Sequence, residues 1–189
     1  MRVPKPRVEP LPESEWSEDA RATIAPTRAM SGGKVFNIFS TLAHHPSLLK
    51  RWMVFANHVL VKSTLPPRER ELLILRIGWL CKAEYEWSQH VVIGRAVGLT
   101  DDEIDRIGDG PDAPGWSADD AALLRAVDEL HRDACIGDAT WQALAARFST
   151  EQMMDVIFTV GQYALVSMAL NSLGVQLDEG LPAMRRPFR

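Results

Sequence analysis

The sequence predicts an all-α fold, and three observations support this prediction. Apolar residues recur at helical spacing in one segment after another, and capping residues or glycine and proline stops separate these segments. No segment shows the alternation of a strand, and no internal repeat has the period of a solenoid. With 189 residues, 46% of them hydrophobic, the chain is long enough for one domain with a sizeable core.

The first three predicted helices cover about 35–43, 47–62 and 66–80. Ser47 suits the N-cap of the second helix, whose apolar residues share one face. Two prolines fit the first turn of the third helix, with Thr64 as a candidate cap. This third helix is apolar nearly all round, so we expect it at the centre of the fold.

The later helices have clear starts and stops. A helix over 83–98 ends at its glycine, and Thr100 with Glu103 three residues later forms a capping box that opens a short helix. Glycines and prolines between 108 and 115 predict a loop. The remaining predicted helices run from Ser117 to about Arg132, from Asp138 to Phe148, and from a cap at Ser149 through the apolar stretch that ends at Leu173.

The chain ends differ in composition from the middle. Residues 1–28 are rich in proline and charge, which predicts an extended arm that wraps the body or a neighbouring subunit, or else a loose terminus. Residues 29–176 are predicted to form a single all-helical domain. Residues 177–189 are predicted to form a C-terminal tail.

Charge and cysteine content narrow the class of protein. The net charge of −4 gives no basic field for nucleic acid. Cys81 and Cys135 form no CxxC pair, so we expect no disulfide framework and a cytoplasmic location. The N-terminus lacks the apolar region of a signal peptide, and polar residues such as Asp155 and Asn171 interrupt the apolar stretch 153–173. We therefore predict no membrane partner.

The helix over 83–98 carries an acid and a histidine on its apolar face. Glu86 and His90 are four residues apart and therefore neighbours. Burying a charge costs several kcal/mol unless it is paired, so this pair is a candidate for proton transfer, with the acid orienting the imidazole. Glu71 could act as a general acid or base or as a relay to His90. Alternatively, it only stabilises the start of its helix.

Two other interpretations of this pair remain open. Glu86 and His90 could form a structural ion pair that holds two helices together. They could also chelate a metal with further ligands, for which His44, His45 and His58 are candidates by residue type alone. We predict that no metal and no cofactor is bound.

Five further residues are candidates. Arg76 lies inside an apolar helix, so it pairs with a buried acid or binds a substrate carboxylate. Tyr85 and Trp87 line a pocket or pack in the core. Tyr163 belongs to a polar strip on the last helix, which faces a pocket or solvent. Cys81 is a redox thiol or a buried, inert cysteine.

Several motifs together resemble one protein family. They are Leu65-Pro66-Pro67-Arg68-Glu69-Arg70-Glu71-Leu72 followed by Arg76, Glu84-Tyr85-Glu86-Trp87 followed by His90, and Gly98-Leu99-Thr100 followed by Glu103-Ile104. This pattern is similar to the carboxymuconolactone decarboxylase family, whose superfamily includes the alkylhydroperoxidase D group. The core of the resemblance covers about 45–130. Matches near 128–131 and 163–174 extend it over most of the chain.

The resemblance implies an all-α protein that assembles into trimers or hexamers, with a site near subunit contacts. Its peroxidase branch has a CxxC before a histidine and a glutamate one helix earlier. The histidine of this pattern matches His90, and the glutamate matches Glu71. The two cysteine positions fall on Ala83 and Glu86, so both thiols are missing. The decarboxylase branch similarly lacks the CxxC and keeps an acid and an aromatic residue before the histidine.

We therefore predict a cofactor-free lyase or isomerase that acts on a small cyclic carboxylate or lactone from aromatic catabolism. The predicted catalytic residues are Glu71, Glu86 and His90, and the predicted substrate-binding residues are Arg76, Tyr85, Trp87 and Tyr163. One alternative is an antioxidant peroxidase that uses Cys81 with an external thiol. The other is a non-enzymatic helical oligomer that binds a ligand.

Overall fold

Helices account for all the regular structure in the described part of the chain, as predicted. The computed structural model describes residues 3–182 and 184–188. A short 3-10 turn (Glu13–Glu15) precedes the first helix, and a π-helical turn (His58–Lys62) continues the third. The α-helices are α1 (Glu18–Met30), α2 (Asn37–Leu42), α3 (Pro46–Asn57), α4 (Pro67–Leu80), α5 (Glu84–Ala96), α6 (Asp101–Ile107), α7 (Ala118–Asp133), α8 (Asp138–Ala145) and α9 (Thr150–Leu173).

Helix α4 lies at the centre of the fold, as its apolar composition predicts. Every residue from Glu69 to Trp79 is buried, because α7, α5 and α9 pack around the helix. The charged residues that open α4 are therefore enclosed together with the leucines and isoleucines that follow. This burial places polar side chains where their charges must be balanced by neighbours.

Capping residues define several helix starts as predicted, with two corrections. Thr100 and Ser149 each form a capping box, and Ser117 caps α7. The prediction that Ser47 caps the second helix is wrong: α3 begins two residues earlier, and the ring of His45 accepts the hydrogen bond from the backbone of residue 48. The earlier start follows from Pro46, whose fixed φ suits the first helical position.

Thr64 is also not a helix cap. Its backbone N–H and hydroxyl both donate to the carboxylate of Asp155 on α9, and Ser63 donates to the same carboxylate. Pro66 occupies the N-cap position of α4 without a side-chain bond. These bonds tie the start of α4 to α9.

The predicted extended arm over 1–28 is wrong for residues 18–28, which lie in α1. Ser17 caps this helix, and Pro26 lies inside it. Trp16, Ala20 and Ile24 are buried in a small apolar cluster against α3. Helical spacing of these apolar residues therefore outweighs the proline content. Residues 1 and 2 lie outside the described part of the chain.

Upstream of the 3-10 turn, the chain runs without regular structure along the body of the protein. The backbone N–H groups of Arg7 and Val8 both donate to the carbonyl of Leu173 at the end of α9. The predicted boundaries at 28/29 and 176/177 remain predictions.

The described part of the C-terminal tail packs back on the helices. The Arg186 guanidinium binds Asp109 at 2.7 Å and lies over the ring of Trp79, and Phe188 contacts the same ring edge-on. Residues 183 and 189 of the predicted tail lie outside the described residues. The tail therefore covers one side of the α4–α5–α6 junction.

Helix α9 has two distinct sides. By length and composition alone it could cross a membrane, and half of its most apolar window is buried inside the protein. Its buried side packs on α4, α5 and α7. Its other side exposes large apolar side chains, namely Met154, Ile157, Phe158, Leu165 and Met168.

Candidate functional site

Helices α4 and α5 form a hairpin that brings the three predicted catalytic residues together. A three-residue connection over 81–83 joins them, with Lys82 in the left-handed region at φ 52°. The His90 Nδ1 atom lies 2.6 Å from Glu71 Oε2, and its Nε2 atom lies 2.9 Å from Glu86 Oε1. The first contact is a hydrogen bond, whereas the second is an ion pair without hydrogen-bond direction.

These three side chains are almost completely enclosed. Glu71 is fully buried, and His90 and Glu86 are 5% and 4% exposed. Glu71 is in direct contact with His90, and its role as a relay stays a prediction. Each ring nitrogen of His90 faces its own carboxylate.

Arg70, which was not among the predicted site residues, completes this cluster. Its Nε and Nη2 atoms both donate to Glu71 Oε1 at 3.2 Å, and its side chain is buried. Arg70 belongs to the charged run 68–71, and charged residues at the start of a helix are usually exposed to solvent. The signal that could have identified it is the all-round apolar character of the rest of α4, which predicts burial of the whole helix.

The two carboxylates determine the protonation state of His90. Burial alone would lower the pKa of His90, but the negative charges of Glu71 and Glu86 and the close contacts of both carboxylates with the ring together raise it to about 10. At neutral pH the ring is therefore an imidazolium with a proton on each nitrogen. In this state His90 can donate a proton, and the neighbouring carboxylates can accept one.

Tyr163 lies against this cluster from α9. Its ring meets the His90 ring edge-on, with centroids 4.9 Å apart. Burial, together with the negative charges of Glu86 and Glu71, raises the pKa of Tyr163 well above its usual value, so the phenol stays protonated. Thr159, one turn earlier, is also buried and its hydroxyl has no hydrogen-bond partner among the described residues. The polar strip of α9 therefore faces the protein interior rather than solvent.

Two of the predicted substrate-binding residues are engaged elsewhere. The Arg76 guanidinium binds both carboxylate oxygens of Asp128, at 2.6 and 2.8 Å, and donates to the carbonyl of Ile107. The Tyr85 hydroxyl donates to Asp178 at 2.5 Å. The alternative in which Arg76 pairs with an acid is therefore confirmed. Both Arg76 and Tyr85 use their polar groups to hold helices and tail together, and substrate binding by either residue stays a prediction.

Trp87 packs against Trp79, with ring centroids 5.1 Å apart. Both rings line a cleft beneath the C-terminal tail that measures about 20 Å³, which is room for about one water molecule. A second cavity of about 10 Å³ lies beside Tyr85. Neither cavity is lined by Glu71 or His90. Trp87 is therefore adjacent to the catalytic candidates in sequence, but its ring lines the cleft beneath the tail.

Cys81 lies at the far end of α4, roughly 15 Å along the helix axis from Glu71. Burial raises the pKa of its thiol, and the nearby hydroxyl of Ser167 only partly opposes this effect. Cys135, the other free cysteine, is exposed near the end of α7. The thiol of Cys81 therefore has the environment of an unreactive cysteine.

The three histidines that could have completed a metal site have separate partners. The His44 ring contacts the carbonyl of residue 9, His45 caps α3, and His58 lies 3.7 Å from Asp155. Within residues 3–182 and 184–188, no group of three or more His, Cys, Asp or Glu side chains is arranged to hold a metal ion.

The protonation of His90 predicts a pH dependence of stability. Between about pH 6.5 and 10 the folded protein keeps a proton on His90 that the unfolded chain has lost. This stabilisation is complete below pH 6.5 and is lost as the pH rises toward 10. We expect the free energy of unfolding, measured by urea titration, to fall over this interval by at most about 1.4 kcal/mol per pH unit. The His90→Gln variant should lack this fall, and an equal slope in both proteins would contradict the assignment.

Comparison with known proteins agrees with this architecture. Residues 46–129 match the Carboxymuconolactone decarboxylase family. No curated protein matches the chain significantly. One similar structure is an alkylhydroperoxidase AhpD core, an uncharacterized peroxidase-related protein from Ralstonia eutropha: its TM-score is 0.80 at 20% identity, covering 91% of this chain and 92% of the other.

Two further solved structures are similar. One is a protein of unknown function from Agrobacterium tumefaciens, a putative antioxidant defence protein AhpD, with a TM-score of 0.67 at 22% identity over 72% of this chain and 94% of the other. The second is a variant of the debrominase Bmp8 in complex with 2,3,4-tribromopyrrole, with a TM-score of 0.74 at 13% identity over 91% of both chains. At these identities the likeness establishes the fold alone. Residues 46–129 therefore match the carboxymuconolactone decarboxylase family, and the described chain shares the fold of the AhpD-like structures.

Proposed function

We propose that this protein is a cofactor-free lyase or isomerase that transfers a proton to or from carbon in a small cyclic carboxylate or lactone. The observation that carries this proposal is the placement of His90 between two buried carboxylates, Glu71 and Glu86. An imidazolium in this position is a proton donor at neutral pH, and each carboxylate is a proton acceptor.

Decarboxylation illustrates the chemistry that such a cluster can supply. The bond between the ring carbon and the carboxylate breaks, carbon dioxide leaves, and the electron pair that remains on carbon must be protonated. We propose that the His90 imidazolium supplies this proton by way of the Glu86 carboxylate, and that Glu71 supports the positive charge of His90. A proton from water then restores the imidazolium. In an isomerisation, Glu86 would instead remove a proton from one carbon and the same pair would return it to another.

The substrate class is proposed from the family and from the polarity of the site. Helix α9 carries two buried hydroxyl groups, the phenol of Tyr163, which meets the His90 ring, and the hydroxyl of Thr159 one turn earlier. Neutral hydroxyl donors of this kind suit the carbonyl or carboxylate oxygens of a lactone or cyclic acid. Because the cluster is enclosed, substrate entry requires the packing around Glu86 and Tyr163 to open.

The decisive test replaces the proton donor. We expect His90→Ala to lose turnover by at least about 100-fold, the usual contribution of a general acid, in a screen of cyclic carboxylates and lactones. Ser88→Ala is the matched control, because Ser88 is fully buried on the same helix and its hydroxyl has no hydrogen-bond partner in the described region. Retention of full turnover by a folded His90→Ala protein would refute the proposal. It would favour the alternative in which the enclosed cluster is structural and the oligomer only binds a ligand.

A peroxidase that uses Cys81 is the second candidate, since two similar folds have names that refer to peroxidase or antioxidant proteins. The partly buried thiol, its raised pKa and its distance from Glu71 argue against this function.

We expect hydroperoxide to consume no Cys81 thiol in a thiol titration with and without an external thiol. A Cys81→Ser variant separates the signal from that of the exposed Cys135. If the wild type loses one thiol per chain and the Cys81→Ser variant loses none, this expectation is overturned and peroxidase activity is supported.

We further propose that the chain self-associates through the exposed side of α9, as a trimer or hexamer in the cytoplasm. The exposed residues Met154, Phe158, Gly161, Leu165 and Met168 follow steps of four, three, four and three, which is the spacing of a helix-pairing seam. Phe55 of α3 extends this surface by contacting Phe158 edge-on, with centroids 6.0 Å apart. A continuous apolar surface of this kind marks an interaction site on a soluble protein, and a second copy offers the same apolar seam in return.

Replacing the centre of this surface should disrupt the assembly. We expect Phe158→Glu to reduce the mass measured by light scattering toward the 21.1 kDa of one chain. Val92→Glu is the control, because Val92 is 47% exposed on α5 and lies outside the α9 seam. A wild-type protein that is already monomeric at 21.1 kDa would contradict the proposed interface.

A further inference from the structure

The proposed reaction leaves one buried charge of the site unused, that of Arg70. Its side chain is 8% exposed, although it lies in the first turns of a helix, where an arginine would ordinarily extend into solvent. It turns back instead and donates twice to Glu71 Oε1, at 3.2 Å from both Nε and Nη2. A guanidinium with two donors on one carboxylate oxygen favours the ionised carboxylate strongly.

Charge balance shows why this contact matters. Arg70 and Glu71 come from α4, Glu86 and His90 from α5, and the neutral phenol of Tyr163 from α9. With both carboxylates ionised and His90 protonated, these groups sum to zero. Without the guanidinium, the buried cluster would carry one net negative charge, and uptake of a proton by a carboxylate would relieve it.

The two carboxylates differ in how they are neutralised. Glu71 is bound at Oε1 by Arg70 and at Oε2 by His90. Glu86 has only the ion-pair contact with His90, and its Oε1 atom has no hydrogen-bond donor among the described residues. A proton that leaves the imidazolium therefore passes to Glu86 more readily than to Glu71.

We infer that Arg70 is a positioning residue that keeps Glu71 ionised and thereby directs proton exchange to the Glu86 side of His90. The catalytic consequence rests on the proposed function. The charge state of Glu71, in contrast, can be measured in the resting full-length protein without any substrate.

Infrared spectroscopy at neutral pH tests this inference, because a protonated carboxylic acid and a carboxylate absorb at different frequencies. We expect no protonated carboxyl signal from Glu71 in the wild type. The charge-free variants Arg70→Gln and Arg70→Met should each show one, and adding Glu71→Gln should remove it. Two replacements of different shape are used, because one folded variant is enough to decide the outcome.

Two controls separate charge from packing. Arg70→Lys keeps a positive charge and should show no protonated signal. Arg68→Gln removes another arginine of α4, one that pairs with Glu103 and Asp120 instead of Glu71, and should also show none.

A folded Arg70→Gln or Arg70→Met protein without the signal would overturn the inference, as would a signal that persists after Glu71→Gln and therefore belongs to Glu86. Neither result would affect the proposed function if His90→Ala still loses turnover. Conversely, the expected signal in a protein whose turnover does not depend on His90 would refute the proposed function alone.

Discussion

Ionised groups can occupy the centre of a helical bundle only when their charges cancel, and this requirement organises the middle of the molecule. Glu71 is fully buried on the central helix, so it needs positive partners at contact distance. Arg70 supplies one from the same helix, and His90 supplies the other from α5. The pairing favours one register of α4 against α5, because a shift by one helical turn would set Glu71 opposite Glu86 or Gly94 instead of His90.

The same principle recurs along α4 at sites that have no role in the proposed chemistry. Arg76 is neutralised by Asp128 on α7, and Arg68 by Asp120 on α7 together with Glu103 on α6. These pairs attach neighbouring helices, and each guanidinium binds its aspartate through two nitrogen atoms. The His90 cluster differs, because Glu86 retains an oxygen without a hydrogen-bond donor in the described region. Spare acceptor capacity next to a proton donor is the physical distinction between a structural pair and one that can exchange protons.

Much of the fold and part of the site follow from the sequence. Helical spacing predicts the helices, and the i, i+4 rule predicts the contact of Glu86 with His90. Partner choice across the bundle does not follow from local patterns: Arg76 pairs with Asp128, and Tyr85 with Asp178, over long separations in sequence. Arg70 was missed for a related reason, since a charged helix start is solvated in most proteins and becomes buried only when other elements enclose it.

Helix α9 links the enclosed site with the outer surface. Its buried side places Tyr163 against His90. On the opposite side, exposed apolar residues recur at steps of three or four. A helix moves as a unit, so a partner that packs on Phe158 also constrains the position of Tyr163 five residues later. Self-association through this surface would therefore hold the wall of the site in place. It would also explain why so apolar a helix is only half buried by its own chain.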